Sequence, residues 1–136
     1  MTALTTDRRT PERSGDRRQH PVKAGATFYA GALVALGADG FAVPMTAATG
    51  LIALGRCETR ADNVAGADGE IAVTVGAGIY RFSNSAGGDE ITTAHIGQPC
   101  YGVDDQTVAL TDGTGTRSVA GTVFDVDAQG VWVDFR

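Results

Sequence analysis

The stretch RSVAGTVFDVDAQGVWVDF, residues 117–135, decides the fold class. Arg117 to Val126 forms one run and Val131 to Phe135 a second, and Asp127-Ala128-Gln129-Gly130 separates them. In the second run Val131, Val133 and Phe135 alternate with Trp132 and Asp134. A period of two is that of a strand with one face buried. Two such runs joined by a bend rich in Asp and Gly predict an antiparallel hairpin.

The same texture reaches back to Pro21. Ala32 to Leu36, the bend Ala38-Asp39-Gly40 and Phe41 to Val43 predict another hairpin. Gly50 to Cys57 predicts a strand, and in Glu70 to Val75 the residues Ile71, Val73 and Val75 share one face. Ile79 to Ser83 places Tyr80 and Phe82 on one face, and Pro99 to Val103 and Gln106 to Leu110 flank an Asp104-Asp105 bend. Asp89 to Gly97 is the one candidate for a helical turn, capped by Asp89 or Thr92. No window sustains apolar spacing at three and four, which excludes a helical bundle. About eight to ten short strands at close spacing predict an all-β fold, a small barrel or sandwich of antiparallel strands.

Composition agrees. The chain has 136 residues, 19 of them glycine, with 43% apolar and only 7% aromatic residues, so a thin core of Ala and Val is expected. This length fits one domain and leaves a second core short of apolar residues. Cys57 and Cys100 are expected as small core residues with free thiols in a reducing compartment. The N-terminus lacks a signal-peptide pattern, and no run approaches the roughly 20 apolar residues of a membrane span. The cytoplasm is therefore the expected site of synthesis, with no membrane partner.

Charge divides unevenly along the chain. Residues 1–23 carry six cations against three carboxylates, whereas the remainder carries five arginines against thirteen carboxylates, for a net charge of −5 overall. Residues 1–20 have no apolar period, and Pro11, Gly15 and Pro21 interrupt any helix. They are expected to form an extended basic arm, with the β-domain over residues 21–136. Arg8, Arg9, Arg13, Arg17 and Arg18 are the candidate binding residues of that arm. The acidic body and the lack of a basic stripe interleaved with aromatics argue against nucleic acid as the partner. An acidic protein surface fits better.

Catalytic patterns are weak. Asp104-Asp105, and Asp125 with Asp127, sit at bends, where carboxylates accept hydrogen bonds from turn amides. His20 and His95 have no neighbouring nucleophile pattern, and two Cys with two scattered His fall short of a zinc set. Gly76-Ala77-Gly78 and Gly113-Thr114-Gly115 lack the helix or lysine of a phosphate-binding loop. No enzyme, metal site or cofactor is expected.

From Pro21 onward the order of segments resembles the capsid decoration, or cement, proteins of tailed phages and Mu-like prophages. The resemblance is carried by Pro21 to Gly25, Phe28 to Val34, Thr49 to Gly55 and Tyr80 to Ser85, and then by IGQPCYGVDDQTVA (Ile96 to Ala109) and AGTVFDVDAQGVWV (Ala120 to Val133). It implies a β-rich plug made in the host bacterial cytoplasm and placed on the exterior of the virion, bound to the major capsid protein, often at a three-fold position, with trimeric self-association. It supplies no residue-level binding motif. The alternative is a carbohydrate-binding β-domain displayed on the virion, with Tyr29, Tyr80, Tyr101 and Trp132 as a stacking face.

Overall fold

The computed structural model describes residues 2–136 and is all-β. Five strands close a barrel in the order β10-β8-β12-β11-β9. They are β8 (Ile79–Asn84), β9 (Pro99–Gly102), β10 (Thr107–Ala109), β11 (Val119–Asp127) and β12 (Gly130–Asp134). Beside it lies a sheet in the order β1-β7-β5-β3-β4, comprising β1 (Arg17–Pro21), β3 (Leu33–Leu36), β4 (Ala42–Pro44), β5 (Ile52–Cys57) and β7 (Ala72–Gly76). The two-residue strands β2 (Thr27–Phe28) and β6 (Ala61–Asp62) pair with each other.

The 117–135 hairpin forms as its alternation predicts, with Val123 opposite Val133 and Asp127 opposite Gly130. Asp127 Oδ1 accepts from the amides of Gln129 and Gly130, which fixes the bend. One bulge, between Val123 and Asp125, breaks the alternation, so that Phe124 and Asp125 are both exposed and Val126 returns to the barrel cluster. Thr92 caps the 3-10 turn Thr93–His95, and a second such turn spans Gly87–Asp89. Most pairs are antiparallel, but β10 runs parallel to β8. Among the described residues no helix is long and apolar enough to cross a membrane.

Two expectations are corrected. The first is the boundary at residue 21. Arg17 to His20 belong to β1, which pairs antiparallel with β7 from Arg17–Gly76 to Pro21–Ala72. Pairing with a ladder needs only backbone groups, so a charged, solvent-exposed strand is suited to a sheet edge. Just beyond β1, Val22 forms a parallel bridge to Ala42 of β4, so the two ends of the sheet nearly meet.

The second correction concerns the core. There are two clusters, not one. Eleven buried residues, among them Phe82, Ile91, Val108, Val123, Val131 and Val133, fill the barrel. Ten others, among them Val22, Phe28, Leu54, Val73 and Val75, lie under the sheet. The shortage of apolar residues is met by sharing β3. Leu33 and Ala35 pack into the barrel cluster, while Val34 packs into the sheet cluster. Within the sheet, β5 and β7 approach closely at a glycine; a Cβ on Gly55 would collide with the Gly76 carbonyl of the neighbouring strand. Cys57 and Cys100 are buried in different cores, so no disulfide joins them. Burial raises both thiols, Cys100 to about 12.

Candidate docking surface

The outward face of the barrel is set by the β8–β12 ladder. In its register Arg81 lies opposite Trp132, and Tyr80 and Phe82 alternate to the other side, against the barrel core. The Arg81 guanidinium lies 5.5 Å from the Trp132 ring centre. The Trp132 indole N–H donates to Asp127 Oδ2 at 2.8 Å, which holds the ring in place. That bond, more than any other contact, keeps the Asp127 carboxyl below the usual range; turn amides and the Arg81 charge add to it.

Next to this pair the sheet contributes Arg56. Its register on β7 places it opposite Gly76, from which a tight turn leads into Tyr80. The Arg56 guanidinium stacks 4.0 Å from the Tyr80 ring centre and pairs with both carboxylate oxygens of Glu58 at 2.9 and 3.0 Å. Glycine at 76 leaves room for the Glu58 carboxylate and the Tyr80 hydroxyl, which a Cβ there would push aside. Gly31, Arg56, Tyr80, Arg81 and Trp132 together line one shallow depression.

Gly31 also lines the adjoining depression, with Tyr29, Asp105 and Gln106. The β2–β6 register pairs Phe28 with Ala61, which brings the next residues, Tyr29 and Arg60, across from each other. Arg60 lies 5.3 Å from the Tyr29 ring centre. Burial, then the charge of Asp104, raises the Asp105 carboxyl on the far side of this depression. Three of the five arginines found after residue 23 thus lie over aromatic rings, and each also has a carboxylate nearby: Glu58 beside Arg56, Asp62 beside Arg60 and Asp127 near Arg81.

The residues singled out in the sequence are placed as follows. Arg8 and Arg9 are exposed in a segment without strand, and Arg13, Arg17, Arg18 and His20 line a depression at the root of the arm. Burial, then the charges of Arg18 and Arg13, lowers the His20 imidazole. The charge excess does not lie in the loose part. Residues 2–16 hold three arginines against three carboxylates, so the excess comes from Arg17, Arg18 and Lys23. Lys23 is already paired with Asp39 at 2.7 Å and Asp68 at 3.5 Å.

Tyr80 and Trp132 meet in one depression and Tyr29 in the next, whereas Tyr101 lies on β9 opposite Ala109 and Val119. Asp104 accepts from the Gln106 amide, and His95 Nδ1 accepts from the Thr92 amide. Among the described residues no group of three or more His, Cys, Asp or Glu is arranged to hold a metal ion. The sequence drew attention to the aromatics but not to Arg56, Arg60 and Arg81, which cover them. The nearest local signal is Tyr80-Arg81-Phe82, an arginine on the outward side of an aromatic strand. Comparison with protein-family models, curated proteins and solved structures found no match for this chain.

Proposed function

We propose that the chain is a decoration protein of a tailed-phage capsid. In this reading it binds the outside of the major capsid protein lattice and stabilises the mature head, with no catalytic step. The observation that carries it is the rooting of the arm. Residues 2–16 are exposed, and they issue from β1, an edge strand whose Arg17 and Arg18 both point to solvent. A fixed root with a free segment can span neighbouring subunits, ordering on contact and covering much surface with few residues. Binding the assembled lattice, and not its separated subunits, stabilises the lattice by mass action. Trimeric self-association belongs to the same proposal, and the exposed edge of β1 is the backbone surface available for it.

The test is co-sedimentation with undecorated capsids over a salt series. Wild-type protein pellets with capsids, and a variant with Arg8, Arg9, Arg13, Arg17 and Arg18 changed to Gln is weakened about tenfold or more. Wild-type protein that never pellets with capsids overturns the proposal. The carbohydrate-binding alternative draws on the shared Tyr80–Trp132 depression, and glycan-array binding by the isolated protein would favour it.

A further inference from the structure

We propose that His20 makes β1 an acid-labile latch: a proton taken up by its ring unpairs the strand from β7 and turns the fixed root of the arm into free chain. The inference concerns the isolated protein and does not rest on the decoration reading.

The register sets the position of the ring. His20 lies opposite Val73 and Arg18 opposite Val75, and both valines are fully buried in the sheet cluster. Directly opposed residues share a face of a sheet, so His20 stands on the core side of β1, two residues before Val22 of the same cluster. Its Nε2 is enclosed and has no hydrogen-bond partner. The neutral ring occupies this place at the cost of one unmade bond. For the imidazolium the cost is larger. Whichever tautomer the neutral ring had, the protonated one carries an N–H at Nε2, charged, out of reach of water and without an acceptor.

The surroundings do not offset that charge. Arg18 from the same strand and Arg13 from the arm are the charged groups that act on the ring, and both oppose its protonation. β7 reads Ala-Val-Thr-Val-Gly, and β4, met through the Val22 bridge, reads Ala-Val-Pro, so neither strand brings a titratable side chain. Asp16 accepts from the Ser14 hydroxyl, and Asp39 and Asp68 are paired with Lys23. Burial, more than either arginine, holds the imidazole below its ordinary value of 6.5. As pH falls through that value the unfolded or unpaired segment takes up the proton first, and the stability of the paired strand drops from there downward.

β1 is the strand that this drop opens. Arg17, Arg18 and Gln19 are exposed, and the side-chain bond from the strand to β7 runs from Gln19 Nε2 to Thr74 Oγ1 at 3.3 Å. Opening stops at Val22, which is fully buried, donates to the Ile71 carbonyl and accepts from the Gly69 amide. The 5 residues of β1 are released, which adds about 16 Å of reach at roughly 3.3 Å per residue and bares the edge of β7.

The full-length protein, with no capsid present, is followed by amide hydrogen exchange at about pH 7.5 and 5.5. Each rate is divided by the intrinsic rate at that pH, and β12 of the barrel serves as the internal reference. Expected is a several-fold loss of protection over residues 17–21 and 72–76 at the lower pH, relative to β12. Its ceiling is about tenfold, because that pH lies about one unit below the ordinary histidine value. His20→Gln and His20→Phe, neither of which takes up the proton, show no acid loss beyond that of β12. No loss in wild type, a loss that persists in the variants, or an equal loss over β1 and β12 overturns the latch. A second measurement needs no folded variant: the His20 Cε1 proton is titrated by NMR in the native protein and in urea. A native midpoint below the unfolded one is expected, and one at or above it overturns the proposal.

Discussion

Replacing Leu33 with Ala tests whether the shared strand welds the barrel and the sheet into one cooperative body. Leu33 is fully buried in the barrel cluster, although its strand belongs to the sheet. Leu-to-Ala changes at such sites cost about 2–5 kcal/mol, the transfer free energy plus the cavity left behind. For a chain of this size each kcal/mol lowers the melting temperature by roughly 3 °C, so a fall of about 6–15 °C is expected. Val34→Ala, one residue along and facing the other core, removes less apolar volume and costs about 1–3 kcal/mol. The assay follows thermal unfolding by Trp132 fluorescence, which reports on the barrel, and by far-ultraviolet circular dichroism, which reports on all strands. If β3 couples the cores, the two probes give coincident transitions in wild type and in both variants. A Leu33→Ala protein whose barrel signal melts early, with a second transition at the wild-type temperature, refutes the coupling.

Three further outcomes are expected. Thr114 holds a φ of +62° between Gly113 and Gly115, which are also left-handed. A β-branched residue there costs about 1–2 kcal/mol, and glycine gives back about 0.5–1 in chain entropy, so Thr114→Gly should raise the melting temperature by a degree or more. The Asp105 carboxyl is raised by burial and by Asp104, so the folded state holds its proton more tightly than the unfolded chain does. Its charged form is therefore the destabilising one: Asp105→Asn should gain stability at neutral pH, and melts at falling pH should show the gain vanishing below about pH 4. Gly76→Ala should lower the melting temperature only modestly, by about 1–3 °C in a circular-dichroism melt, because the atoms in its way are the movable ends of Glu58 and Tyr80.

What could be read from the sequence follows from how locally each feature is determined. The hairpin about Asp127–Gly130 and the Asp39-Gly40 bend are specified by adjacent residues, and both form where expected. β1 was not legible, because Arg17-Arg18-Gln19-His20 has no apolar residue and is held by the β7 backbone, more than fifty residues away. The two cores were hidden in Leu33-Val34-Ala35-Leu36. A continuous apolar run lacks the alternation of a half-buried strand, and its meaning, burial on both faces, depends on what packs on either side. The docking face lay further out of reach. Arg81 and Trp132 become neighbours only through the β8–β12 ladder, and Arg56 reaches Tyr80 only across the junction of sheet and barrel.

The position of the arm's charge leads to one more prediction. Residues 2–16 are balanced, and Lys23 is spent on Asp39 and Asp68, so the unpaired positive charge at the root is that of Arg17 and Arg18 on β1. A strand holds these two in fixed positions, whereas the segment before it adds reach, with each of its arginines offset by a carboxylate. The two parts should therefore separate by salt dependence, because screening weakens interactions of net charge far more than it weakens apolar or backbone contacts. Deleting residues 2–16 should lower occupancy on capsids at every salt concentration and leave the slope against salt unchanged. Changing Arg17 and Arg18 to Gln should flatten that slope and have its largest effect at low salt. The melting temperature of either protein alone should stay close to wild type, since neither change touches a buried side chain. Co-sedimentation of the two variants with undecorated capsids from low to high salt distinguishes them. A flattened slope on deletion, with none on the double substitution, would mean that the free segment and not the strand carries the electrostatic contact.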